Sequence, residues 1–302
     1  MSERALHVGF LRYRGGRWAW VALLLVALSV ALYLLPTGGQ PPNGGTWQGY
    51  VLGTLGALMI VWLSWLGVRK RRYRSGSGTV LGWVSAHVYL GLALLVVATL
   101  HSAGQLGWNV HSLSYVLLCG VIGSGIYGAW AYLDHPGRAS RNRLGAARSA
   151  LFRELYALDR SCRELAGRCD PEVGRSVQSA IARTDLGGGV FRQLFAVDRS
   201  RFLRRVADGA GASSVRTVPN RDQVALVDFL SQRVPRAEKR GEAAALQDLL
   251  AAVCRRQDVL RRIRRDVQLA GWTKVWLYLH VPLTVALLGA LTIHVVSTFL
   301  YW

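Results

Sequence analysis

Charge is missing from long parts of this chain of 302 residues. Residues 36–49 and 102–112 hold no Asp, Glu, Lys or Arg. Of the 17 acidic residues, 15 fall between Arg138 and Gly271, together with 27 of the 37 basic ones. Lysine is nearly absent: arginine outnumbers it 34 to 3, which points to a GC-rich, bacterial genome. Cysteine is scarce as well. Cys119, Cys162, Cys169 and Cys254 are the whole set, and no two form a CxxC pair. That excludes zinc-ribbon and thioredoxin-type chemistry, and the lack of CxxCH excludes covalent c-type haem. The four read as small apolar residues in helices. No phosphate loop or dinucleotide fingerprint occurs, and Gly187-Gly188-Gly189 is a turn signal only. No nucleic-acid partner is expected.

What is present is apolar. Hydrophobic residues make up 51% of the chain and mean hydropathy is +0.23, despite a net charge of +20. The two facts agree if apolar residues and charges are segregated, as in a membrane protein. Five stretches approach the ~20 residues that cross a bilayer: Trp18–Leu35, Tyr50–Val68, Val80–Leu100, Leu113–Leu133 and Val275–Leu300. The first is too long for a signal-peptide core and lacks a small-residue cleavage site, so it is expected to remain as an anchor. Arg12, Arg14 and Arg17 precede span one, and a basic run from Arg69 to Arg74 follows span two. The positive-inside rule then puts the N-terminus, the 69–79 loop and the 134–271 region in the cytoplasm, with Trp302 outside. The expected organisation is a cytoplasmic segment 1–17, spans one to four within 18–133, a basic cytoplasmic insertion 134–271 and a last span within 272–302. Trp18, Trp20, Trp47, Trp108 and Trp272 suit an interfacial belt.

The insertion carries about +12 in net charge. Apolar periodicity in Leu151-Phe152-Leu155-Tyr156-Leu158 and in Leu246, Leu249, Leu250, Val253 predicts amphipathic helices. Breaks at Asp170-Pro171, the triple glycine, Gly209–Ser214 and Pro235 divide it into four or five helices, the last running into span five. Its basic surface suits an acidic cytoplasmic partner or anionic headgroups, and equally a solvated helical cap.

Four histidines carry the chemistry. His87 and His101 lie fourteen residues apart in span three, and His280 and His294 lie fourteen apart in span five. Fourteen residues make nearly four turns, about 21 Å of rise, so each pair shares one helix face. Both spans run from inside to outside, so His87 should face His280 and His101 should face His294. Ionisable groups inside a bilayer are costly and mark function. Two imidazoles at each of two depths can grip two haem irons. Such irons have no open position, so electron transfer is expected and no catalysis at iron. His7, His111 and His135 do not fit the pattern and read as interfacial. Gly53 and Gly67 on span two repeat the fourteen-residue spacing, Gly91 follows His87 by a turn, and Gly128 stands on span four fourteen after Ser114. These glycines would give a porphyrin clearance or, in the alternative, let neighbouring helices pack closely. Arg69, Arg72, Arg74 and Lys274 are candidates for inner propionates. The outer haem has Ser102, Gln105, Trp108 and Asn109 nearby.

The pieces His87-Val-Tyr-Leu-Gly91 with His101, Ser124-Gly-Ile-Tyr-Gly128, and His280-Val-Pro282 with His294 resemble the transmembrane di-haem cytochrome b group. One branch is the cytochrome b of quinol–cytochrome c reductases; the other is the ferric reductase and NADPH oxidase transmembrane domain. The likeness covers spans two to five. It implies two non-covalent haems b and electron transfer across the membrane. The quinol-site motif Pro-Glu-Trp-Tyr of the first branch is absent, no flavin or nicotinamide domain is expected after span five, and the insertion belongs to neither. The expected fold is therefore all-α: five transmembrane helices, a di-haem four-helix bundle and a helical cytoplasmic insertion. The expected role is an electron conduit or a subunit of a redox complex, in a multi-pass bacterial inner membrane. Its partners would be periplasmic cytochromes or cytoplasmic redox subunits and the quinone pool, within a larger complex or homo-oligomer. Two alternatives stand beside it. One is a quinol dehydrogenase or metal reductase with its own site near Tyr89, Tyr127, Asp134 and His135. The other is a non-redox proton path or scaffold.

Overall fold

The five apolar stretches fold as helices, and the two charge-free segments lie largely in the loops between them. A computed structural model of the chain describes residues 9–37, 41–71, 79–207, 213–236 and 240–300. The chain divides into two units, one of residues Met1–Asp134 with Thr273–Trp302 and one of His135–Trp272. Arg72, Arg74 and His7 lie outside the described residues.

The first unit is built from α1 (Arg17–Tyr33), α2 (Trp47–Ser64), the short α3 (Leu66–Arg71), α4 (Val80–Ser102), the first part of α5 (Val110–Asn142) and the last part of the 61-residue α10 (Arg240–Leu300). Among the described residues, five helices are long and apolar enough to cross a membrane. Thr46 and Thr79 cap α2 and α4, each accepting from the backbone N–H three residues on, at Gly49 and Gly82. The Gln48 amide, fully buried, donates to the carbonyls of Leu35 and Pro36 and ties the α1–α2 loop to α2. Ala22, Met59, Ile60, Leu63, Ala93, Leu94, Leu118, Ile122 and Leu287, drawn from all five helices, form one buried cluster.

Span four was expected to end near Leu133. Instead α5 continues to Asn142, through Pro136. A proline inside a helix forfeits one backbone hydrogen bond and crowds the preceding turn; it does not forbid the helix. His135, expected at an interface, is buried.

The second unit contains α6 (Arg148–Ala166), α7 (Pro171–Ala182), α8 (Val190–Leu194), strands β1 (Arg201–Ala207) and β2 (Ser213–Pro219), α9 (Val224–Ser231), and parts of α5 and α10. Asp170 caps α7, with Pro171 at its first position. The strands pair antiparallel, with Phe202 opposite Val218 and Arg204 opposite Arg216. This hairpin corrects the all-α expectation. Asp208-Gly209 is a hairpin turn signal, but Phe202-Leu203 and Arg204-Arg205 break the alternation that marks a strand. One side of β1 is nonetheless half apolar: Phe202 is fully buried in the core with Cys162, Val173, Val177, Leu226, Phe229, Leu246, Leu249 and Val253. A smaller cluster joins Leu151 and Leu155 to Val259, Leu260 and Ile263.

Polar groups are buried here in a connected set. Arg256, 1% exposed, bonds Asp159 (2.6 Å), Thr184 (2.8 Å) and Gln223 (3.0 Å). Arg264 pairs with Asp198 at 2.8 Å and donates to the Asp185 carbonyl at 3.1 Å. Burial pulls the Arg264 pKa down, and the neighbouring Asp198, Asp222 and Asp185 pull it back up. Asp266 takes both Arg143 and Arg148. The thiols are quiet: desolvation pushes Cys162 up to about 11, which keeps it protonated and unreactive.

Candidate functional site: two histidine layers in the helix bundle

Helices α4 and α10 bring the four histidines together in the expected order. The ring centroids of His87 and His280 are 6.3 Å apart, and those of His101 and His294 are 6.0 Å apart. A pairing of first with first and second with second requires the two segments to run the same way. Between the layers lie Ala93, Leu94 and Leu287 of the buried apolar cluster.

Separations near 6 Å at interplanar angles of 63° and 82° also suit edge-to-face ring packing. The Nδ1 atoms say more. His87 Nδ1 lies 3.2 Å from the Leu63 carbonyl oxygen, in the last turn of α2 before its interruption at Trp65. His101 Nδ1 lies 2.8 Å from the Gly49 carbonyl oxygen, in the first turn of the same helix. A carbonyl only accepts, so both Nδ1 atoms carry the proton. His280 Nδ1 lies 2.9 Å from Ser124 Oγ, and that hydroxyl already donates to the Val121 carbonyl at 2.8 Å. Its one hydrogen is spent there, so Ser124 accepts from His280 Nδ1–H. In three of the four rings the hydrogen-bond partner thus fixes the Nδ1–H tautomer and leaves the Nε2 lone pair unprotonated.

His294 differs. Its Nδ1 lies 2.5 Å from Nδ1 of His111, at the start of α5, with ring centroids 4.4 Å apart. His111, set aside in the sequence as an interfacial residue, is therefore part of this layer. Nothing in its spacing announced this, because it belongs to a different span and has no fourteen-residue companion.

Tight packing surrounds three rings. A Cβ at Gly53 would lie 2.7 Å from Cε1 and 2.9 Å from Nδ1 of His101. The room beside Gly53 is taken by the imidazole itself. A Cβ at Gly128 would lie 2.7 Å from the Trp276 indole, which in turn packs edge-on to His280 at 5.4 Å. One at Gly125 would touch His280 Cε1 at 3.4 Å. By contrast, a Cβ at Gly67 or at Gly91, one turn past His87, meets nothing within 4 Å.

The other candidates scatter. Arg69 is buried and Lys274 is exposed. Ser102 Oγ donates to the Thr99 carbonyl, the Asn109 side chain accepts from the Ser112 N–H, and Trp108 is fully exposed. Of the residues considered for a separate substrate site, Tyr89 donates to the Leu11 carbonyl at 3.0 Å and Tyr127 packs on Trp130. Among the described residues, no three or more His, Cys, Asp or Glu side chains gather as ligands for a bare metal ion.

The fold and the site define a mostly helical chain with five membrane-length helices and two facing histidine layers. Comparison with protein-family models, with curated proteins and with solved structures finds no match.

Proposed function

We infer that this protein carries electrons across a membrane through two haems b, each held by one histidine of α4 and one of α10. The observation that carries this reading is the tautomer pattern combined with the ring separation. The rings of His87 and His280, and of His101 and His294, face each other at 6.3 and 6.0 Å, and each pair would hold one haem iron between its Nε2 atoms. Three of the rings have their Nδ1–H committed to an oxygen acceptor, which turns Nε2 into the donor a metal needs. The open room beside Gly91, next to His87, suits a flat macrocycle at that layer.

When bound, a bis-imidazole haem supplies reversible one-electron transfer and offers no position for a substrate. The chain's own residues do the rest. Leu63, Gly49 and Ser124 hold three rings in orientation and raise their basicity. Trp276 and Gly128 interlock beside His280 and fix its helix against α5. Ala93, Leu94, Leu118, Ile122 and Leu287 keep water and fixed charge out of the space between layers. Arg69, buried at the end of span two, and exposed Lys274 provide cations for propionates on the side of the His87 layer.

The charge distribution supports an orientation with the 134–271 region in the cytoplasm of a bacterial cell and the His101 layer toward the outside. In that frame a redox subunit or the quinone pool exchanges electrons with one layer, and a partner such as a periplasmic cytochrome with the other. Changing His101 or His294 to alanine should remove one haem and spare the His87–His280 one. Changing His87 or His280 should do the reverse. Joint loss of both haems in every variant, or loss of neither, contradicts the pairing.

A further inference from the structure

The second unit exposes its large apolar residues unevenly. Of the eight that are exposed there, Leu144, Tyr156, Val215 and Val224 stand apart along the chain. The other four, Val190 (58% exposed), Phe191 (77%), Phe195 (63%) and Val197 (36%), crowd into eight residues on and just after α8. Isolated exposed apolar residues are ordinary, but a contiguous group marks a contact surface.

This group is pinned to one place on α10. The Leu194 carbonyl accepts from both Gln268 Nε2 and Trp272 Nε1, each at 3.0 Å. Phe195 packs edge-on to the Trp272 ring, with centroids 6.2 Å apart. A Cβ at Gly271 would meet the Leu194 side chain at 3.3 Å, so that glycine lets α8 approach. Trp272 lies three residues before the apolar stretch of span five opens at Val275, on one uninterrupted helix. Three residues of helix rise about 4.5 Å, so Trp272 stands at the depth where the hydrocarbon begins.

The uncompensated charge beside the group is positive. No acidic residue occurs from Leu186 to Val197. The two acids that flank it are engaged: Asp185 by the Gly187 N–H and Arg192, and Asp198 by Arg264, the Ser200 N–H and the Asp222 N–H. Arg199 and Arg201 are exposed beside it. Phenylalanines four apart, with exposed arginines beside them and both flanking acids already paired, have the composition of a segment that lies in the headgroup–acyl boundary, about 5–10 Å deep.

We propose that Val190–Val197 is a membrane-surface anchor, whose Phe191 and Phe195 insert into the same bilayer that α10 enters at Val275. The occupant is lipid because the group is continuous with the site where its own supporting helix becomes membrane-spanning. Gly187-Gly188-Gly189 takes its place in this reading: Gly187 and Gly189 have φ of +87° and +93°, and the turn they make leads the chain into α8. The anchor rests on α10 crossing a membrane and is independent of whether haem binds.

The test uses the full chain in vesicles of phosphatidylcholine and phosphatidylglycerol. With the four native cysteines replaced by alanine, nitroxide labels are placed singly through Phe191→Cys, Phe195→Cys and, as an aqueous reference in the same unit, Tyr156→Cys. Relaxation by dissolved oxygen should exceed relaxation by a water-soluble nickel chelate at 191 and 195, and the ratio should reverse at 156. A ratio at 191 and 195 equal to that at 156 overturns the proposal. Protection from both reagents overturns it too, because protein and not lipid then covers the patch. A label at Val296→Cys, on the exposed face of span five, reports the span itself. If that site is aqueous, the membrane-spanning reading fails in its own right. Should one variant fail to fold, the other phenylalanine position carries the test.

Discussion

Replacing Gly53 by alanine should remove the haem of the His101–His294 layer and leave the other. The new Cβ would stand 2.7 Å from His101 Cε1, 2.9 Å from Nδ1 and 3.3 Å from Nε2. Carbon atoms rest at about 3.5–4.0 Å, so the imidazole has to retreat by about 1 Å. Its Nδ1 bond to the Gly49 carbonyl starts at 2.8 Å. A retreat of that size carries it past the ~3.5 Å at which a hydrogen bond is lost. The net bond energy is about 1 kcal/mol, and loss of such a ligand-orienting partner weakens metal affinity about 10- to 100-fold, or about 1.4–2.8 kcal/mol. The helix itself gains from the change, since alanine is favoured over glycine by about 0.5–1 kcal/mol. The fold should therefore survive while one cofactor is weakened. The assay is haem per chain with potentiometric titration of the purified protein. Gly289→Ala, where a Cβ meets nothing within 4 Å on an exposed face of α10, is the control and should keep both haems. If Gly53→Ala keeps both haems with unchanged potentials, the coupling of Gly53 to the His101 ring is refuted.

Two further outcomes follow from named contacts. His111→Leu removes the partner of His294 Nδ1. If the lost stabilisation falls on the oxidised form, the midpoint of that layer rises by about 60–120 mV, at about 59 mV per tenfold for one electron. His111→Asn, which restores an acceptor, should bring it back, and an unchanged midpoint in the leucine variant contradicts the role. In the second unit, Arg256→Ala strands the largely buried Asp159 carboxylate, while Gln223 keeps the Asn220 amide, and should cost about 3–5 kcal/mol. Hydrogen exchange in α6 and α9 of the full chain reads this loss; Arg256→Leu with Asp159→Leu should recover much of it, because apolar replacement of both partners leaves no buried charge unpaired.

The parts of this protein that hydropathy and period can encode were legible. Five apolar runs became five membrane-length helices, and the run of Leu246, Leu249 and Val253 became the buried face of α10. The fourteen-residue histidine spacing foretold which rings face which, because α4 is regular and the pattern reads directly onto its face. What could not be read depended on contacts between elements. His111 meets His294 across 183 residues of sequence. Gly53 and Gly128 read as room for a porphyrin, yet the structure fills that room with His101 and Trp276, whose directions no single-helix pattern specifies. Arg256 looks in sequence like one more arginine of a basic insertion. It is buried because Asp159, Thr184 and Gln223, from three other segments, converge on it. The hairpin was hidden by its two adjacent arginines, of which Arg204 leans over the Phe229 ring at 5.6 Å.

The central claim is that four imidazoles hold iron porphyrin in pairs, and the haem content of the purified full chain tests it most directly. A pyridine haemochrome measurement should return about two haems b per chain, with a reduced spectrum of six-coordinate, low-spin iron. Protein expressed with ample haem that folds and purifies from the membrane with no Soret absorbance would contradict it.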